Sequence, residues 1–179
     1  TKPERTQEPT TYYARSSGVG LTMAMLEGVP RRVGIVGLGT GTLASYAGPD
    51  DLYRFYEINP LVVDLAQRKF TFLKECEGET EVVLGDGRLL LEREADQHYD
   101  LLVVDAFSGD SVPIHLLTVE AVRLYFRHLK KDGILALHTS NTHLDLRPVV
   151  ERIAVLLGKK THCVISPGED EKEIYGADW

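Results

Sequence analysis

The chain has 179 residues, 43% hydrophobic and 26% charged, a balance that excludes the disordered and low-complexity classes and suffices for one packed domain. A net charge of -7 and a pI of about 5.4 provide no basic footprint for a nucleic-acid backbone, so no nucleic-acid partner is expected. Cys76 and Cys163 stand in no metal or redox spacing, which excludes a disulfide or zinc framework, and no apolar run approaches the ~18 residues that span a bilayer.

The opening TKPERTQEPTT is polar and contains proline, so residues 1–16 read as a linker or N-terminal extension of an excised domain occupying residues 17–179. Residues 18–26 (GVGLTMAML) suggest a helix, its two methionines filling core. A first strand follows at residues 32–36 (RVGIV), then a turn, Gly37-Leu38-Gly39-Thr40-Gly41, and a short helix from Thr42 that Gly48-Pro49 ends. Residues 52–58 (LYRFYEI) form a second strand, and Asn59 and Pro60 cap a helix over residues 61–72.

Further along, residues 82–84 make a third strand, followed by Gly85-Asp86-Gly87 and a helix to about Glu94. The run DLLVVD at 100–105 is apolar through its middle, as a strand covered on both faces should be, and it ends on an acid. Thr118 caps a helix to about Leu129, Asp132-Gly133 turns the chain, and ILALH at 134–138 is a fifth strand. A helix over residues 146–157 and a strand over 162–165 complete an alternation of strand and helix. That alternation predicts an α/β, Rossmann-like, mostly parallel sheet with helices on both faces.

In such sheets the ligand lies beyond the carboxyl ends of the strands, and there the first four strands place the glycine turn, Glu57, Asp86 and Asp105. Gly37, Gly39 and Gly41 let the backbone approach a ligand, Glu57 can accept the two hydroxyls of a ribose, and Asp86, next to Gly87, can accept from an adenine amino group. Bland readings stand beside these: a tight turn for the glycines, a surface acid for Glu57, a helix cap for Asp86. Thr42 occupies the place of the third glycine in the dinucleotide fingerprint, which favours an adenosyl sulfonium ligand over NAD(P). His115 and His138 read first as ordinary loop and strand-end histidines, with His115 also set to face an acceptor. No spacing of His, Asp and Glu makes a metal site.

The segments PTTYYARSSGVGL, VGIVGLGTGT, YRFYEINP, LGDGRLLLE, YDLLVVDAFSGDSVPIHLLT and LKKDGILALHTSN resemble the polyamine aminopropyltransferases, or spermidine synthases, and especially the spermidine-synthase-like domains fused to membrane transporter-like segments. The resemblance implies an S-adenosylmethionine-dependent methyltransferase fold holding S-adenosylmethionine or its decarboxylated form, with Glu57 on the ribose and Asp86 on the adenine. It implies that Asp105 assists deprotonation of an acceptor amine and that Ser108 and Asp110 lie in the acceptor loop, with Tyr12 and Tyr13 read as the remnant of a wall over the polyamine site. Two positions depart from the family pattern. Thr40 stands where the family's turn carries an acid for the donor's aminopropyl amine, and Ser108 stands where its loop carries a second acid.

The reading is therefore a transferase that moves an aminopropyl group to a polyamine. Methyl transfer from S-adenosylmethionine and a non-catalytic nucleoside-binding domain are its alternatives. A cytoplasmic location is expected, including as the cytoplasmic domain of a membrane protein, and a homodimer is open.

Overall fold

The strands predicted at 32–36, 52–58 and 100–105 are rich in apolar residues because helices cover both faces of the sheet they form. The computed structural model of the chain describes residues 8–107, 112–141, 144–166 and 177–179. Strands β1 (Arg32–Val36), β2 (Leu52–Glu57), β3 (Glu79–Leu84), β4 (Tyr99–Val104) and β5 (Leu129–Leu137) form one parallel sheet in the order β3-β2-β1-β4-β5. The chain winds outward from β1 to β3, then crosses to lay β4 on the other side of β1. The ends of β1 and β4 are thus the switch point of the sheet.

Helices α1 (Gly18–Met25) and α2 (Pro60–Lys69) cover one face. Their Val19, Met23 and Ala66 join a core with Ile35, Phe55, Leu101 and Val103. The opposite face carries α3 (Gly87–Arg93), α4 (Val119–His128) and α5 (Arg147–Leu156), where Leu91, Tyr125 and Ile153 share a core with Tyr56, Leu102 and Val104. From Leu101 to Val104 consecutive β4 residues alternate between the two cores, as the two-residue period of a strand requires.

Among the described residues, four of the five α-helices start on a side chain that accepts a main-chain N–H. Ser17 takes that of Gly20 at 3.2 Å, Asn59 that of Leu61 at 3.0 Å, Asp86 that of Leu89 at 3.0 Å and Thr118 that of Ala121 at 3.2 Å. Each satisfies an N–H that has no partner inside its helix.

Three elements differ from the sequence reading. The helix after the glycine turn is a 3-10 helix, Thr42–Tyr46, since Gly48-Pro49 stops the chain before a second turn can close. Strand β5 begins at Leu129 rather than Ile134, and its ladder to β4 shifts register between Tyr99 and Leu101, so 130–133 form an irregular stretch in place of a free turn. The sixth strand is not 162–165 in the main sheet. It is a short β6 (Ile165–Ser166) that pairs antiparallel with β7 (Ala177–Asp178) in a separate ribbon. The ribbon is fastened to the end of β5 by the Thr139 N–H, which donates to the Asp178 carbonyl at 2.8 Å.

Arg31, at the entry to β1, is buried against Asp51, at the entry to β2. Asp51 Oδ2 receives Arg31 Nε at 3.0 Å and Nη2 at 2.6 Å, while its Oδ1 receives the Arg31 main-chain N–H at 2.7 Å. The rest of the guanidinium donates to the carbonyls of Met23 at 3.0 Å and Tyr46 at 2.7 Å. Among the described residues no helix is long and apolar enough to cross a membrane.

Candidate functional site

The glycine turn sits where β1 and β4 end side by side. Gly37 has φ +105, and a Cβ there would stand 2.4 Å from the carbonyl oxygen of Asp105, so only glycine lets the two strand ends run this close. Gly39 (φ +54) and Gly41 (φ +84) continue the left-handed path, and Gly41 N–H closes the turn on the Leu38 carbonyl at 2.9 Å. Thr40 Oγ1 and Thr42 Oγ1 are 2.8 Å apart and hydrogen-bonded.

Glu57 ends β2 beside this turn and is buried. Its Oε2 accepts the Leu38 N–H at 3.0 Å and its Oε1 the Asn59 N–H at 2.8 Å. The acid is thereby locked to the turn itself and is not a free surface carboxylate. Asp86, after β3, divides its oxygens. Oδ1 caps α3, and Oδ2 lies 3.2 Å from His115 Nε2. The capping reading of Asp86 holds for one oxygen. Gly87 beside it is buried, and a Cβ there would stand 2.8 Å from Val36 Cγ1, which lets α3 start directly against β1.

At the end of β4 lies a tighter cluster. Tyr13, from a 3-10 turn at Thr11–Tyr13, donates its hydroxyl to Asp105 Oδ2, and His138 Nδ1 stands 2.6 Å from Asp105 Oδ1. The side chains of His138 and Asp105 are 4% and 5% exposed, so this is a buried pair. Burial and the neighbouring Asp105 charge push the Tyr13 phenol well above its ordinary value. It therefore stays protonated, as a donor.

Aromatic rings enclose the pair. The indole of Trp179 stacks on His138 at 4.5 Å with planes 9° apart, the ring of Tyr12 is 5.0 Å away, and that of Phe107 meets His138 edge-on at 4.8 Å. Trp179 Nε1 donates to the Tyr12 carbonyl at 3.3 Å, which ties the C-terminal ribbon to the N-terminal turn.

The turn with Glu57, the turn with Asp105, and Tyr13 with Asp105 are thus brought together. His115, expected toward the acceptor, is placed against Asp86. Ser108 and Asp110 lie outside the described residues. The sequence reading gave His138 no more weight than an ordinary strand-end histidine. A positional signal was available, because the residue after β5 runs beside the residue after β4, and His138 N–H donates to the Val104 carbonyl at 3.0 Å. Ser140 and Trp179 had no such signal, since their places depend on the C-terminal ribbon. Among the described residues, no group of three or more His, Cys, Asp or Glu is arranged to hold a metal ion.

No protein-family profile matches the chain. Among curated proteins it is 33% identical over 135 residues to a polyamine aminopropyltransferase of Vibrio vulnificus, covering 73% of this chain and 44% of that protein. It is 28% identical over 131 residues to a putative O-methyltransferase of a Mycobacterium species, covering 70% and 56%. The chain thus spans about half the length of the curated relatives it matches.

Among solved structures it superposes on a probable spermidine synthase from Corynebacterium glutamicum with TM-score 0.72 and 22% identity, covering 97% of this chain and 64% of that one. It superposes on human Methyltransferase-like protein 13 in complex with SAH with TM-score 0.67 and 20% identity, covering 87% and 73%. The fold is the Rossmann-like S-adenosylmethionine methyltransferase fold, and the similarities support a spermidine synthase-like, methyltransferase-like domain.

Proposed function

We propose that this chain is the donor-binding and reacting domain of an S-adenosyl-dependent transferase that moves an aminopropyl group to a polyamine. The observation that carries the reading is Asp105: a buried carboxylate at the sheet's switch point, one residue layer from the glycine turn, with each oxygen already held by a protein donor. The likeness to a polyamine aminopropyltransferase supports the reaction class, and the likeness to a methyltransferase solved with SAH supports the donor class.

In this reading the adenosyl group lies over residues 37–41, with Glu57 toward the ribose and Asp86 toward the adenine. The sulfonium then faces Asp105. An acceptor amine that arrives protonated gives up a proton toward the Asp105 carboxylate. Its nitrogen attacks the carbon next to sulfur, a C–N bond forms, the C–S bond breaks, and the electron pair stays on sulfur as methylthioadenosine leaves. The site contributes orientation and charge. The test is methylthioadenosine release from decarboxylated S-adenosylmethionine with putrescine and related amines. Absence of release across the amine panel would overturn aminopropyl transfer.

Replacing Glu57 by Ala removes the charged acceptor proposed for the ribose and is expected to weaken methylthioadenosine binding roughly ten- to hundredfold, the worth of one hydrogen bond to a charged group. Calorimetry checks the affinity, and a thermal melt of the same sample shows whether the variant is folded.

A second reading, methyl transfer from S-adenosylmethionine, is favoured by Thr40. Its hydroxyl is engaged with Thr42 and brings no charge to an aminopropyl ammonium, whose charge-assisted hydrogen bond an acid would supply. Tighter binding of the carboxylated donor than of the decarboxylated one would select this reading over the first.

A further inference from the structure

His138 takes no part in the reaction as written above, yet it holds the orientation of Asp105. A carboxylate oxygen accepts, so His138 Nδ1 carries the proton donated to Asp105 Oδ1 across 2.6 Å. On the far side of the ring Nε2 lies 2.9 Å from Ser140 Oγ, which accepts the Asp178 main-chain N–H at 2.8 Å. With Tyr13 on Oδ2, the carboxylate plane is clamped from both sides, and each oxygen keeps lone-pair capacity for an incoming N–H.

We infer that His138 is the positioning residue for Asp105: its Nδ1–H, on a ring held between Ser140 and the stacked Trp179, fixes the carboxylate orientation that a cationic nucleophile meets. The inference rests on the proposed function only in placing the nucleophile at Asp105.

The experiment titrates spermidine into the chain with methylthioadenosine present, for the wild type, His138→Asn and His138→Ala. The Asn amide offers its N–H close to the Nδ1 position, and Ala offers none. Spermidine affinity is expected to fall roughly tenfold in His138→Ala and less than about threefold in His138→Asn, as the loss or retention of one hydrogen bond to a charged group requires. Methylthioadenosine affinity should stay within about threefold of the wild type in both variants. Nitrogen-labelled histidine NMR of the wild type should show a ring proton on Nδ1.

An equal loss in the two variants, no loss in either, or an Nδ1 without its proton overturns the role of His138 and leaves the proposed function standing. No spermidine binding by the wild type overturns the proposed function, and this inference with it.

Discussion

Asp105→Asn is expected to lower methylthioadenosine release roughly 10²- to 10⁴-fold, the range that removing a general base costs. The substitution is nearly isosteric, so its effect on structure is limited. The amide oxygen can keep the His138 Nδ1–H, and the Tyr13 hydroxyl can reverse its role and accept from the new amide N–H. What disappears is the negative charge and the basic oxygen facing the nucleophile. Methylthioadenosine binding, which we propose rests on residues 37–41 and Glu57, should stay within about threefold of the wild type, because an interaction made only with the reacting amine adds nothing to nucleoside affinity. Steady-state release assays and calorimetry on one preparation separate the two effects. A variant that turned over at the wild-type rate would remove Asp105 from the reaction. One that lost nucleoside binding as well would show that the strand end had been disturbed.

The second large effect concerns stability. Asp51→Ala is expected to destabilise the fold by about 3–5 kcal/mol, because it leaves the Arg31 guanidinium buried without its counter-charge. Side-chain exposures of 7% and 5% for Arg31 and Asp51 place this pair beyond the reach of the solvent screening that makes surface pairs nearly worthless. Burial alone would raise the Asp51 carboxyl, but the Arg31 guanidinium and the main-chain N–H groups of Gly48 and Arg31 outweigh it and hold the group below its ordinary value. A carboxyl that is lowered in the folded state favours folding at all pH values above its unfolded value of about 4. That contribution is lost as pH falls through the lower, folded value. Urea unfolding of wild type and variant should therefore differ most at neutral pH and converge in acid. Equal stability of the two at pH 7 would mean that the pair is energetically neutral.

Most of the sheet could be read from the chain, and for a physical reason. Strands β1 and β4 are buried on both faces and carry apolar runs at 33–36 and 101–104, β2 alternates apolar residues with Arg54, and Asn59-Pro60 and Thr118 mark helix starts by chemistry that acts within four residues. The same locality made Glu57 and Asp105 legible, since a polar residue that ends an apolar strand must lie at the carboxyl edge of a parallel sheet. What failed was what depends on distant partners. The register shift in β5 reflects how residues 130–133 fit against β4, and the β6–β7 ribbon pairs segments held together by tertiary contacts.

The same holds within the site. Tyr13 came from the family resemblance, because nothing in its local sequence says that a turn 92 residues away from Asp105 will deliver a hydroxyl to it. His138 could have been found by noting that β4 and β5 end together. Trp179 could not, because its stacking follows from the ribbon.

Aminopropyl transfer and methyl transfer both require an adenosyl ligand held at the glycine turn. The most direct measurement is a calorimetric titration of the chain with methylthioadenosine, S-adenosylmethionine and decarboxylated S-adenosylmethionine, each against wild type and Glu57→Ala. Saturable binding of the wild type to all three is expected, through the nucleoside half they share, with a weakening of all three together in the variant. Absence of saturable binding to any of the three by the folded wild type would contradict both reactions.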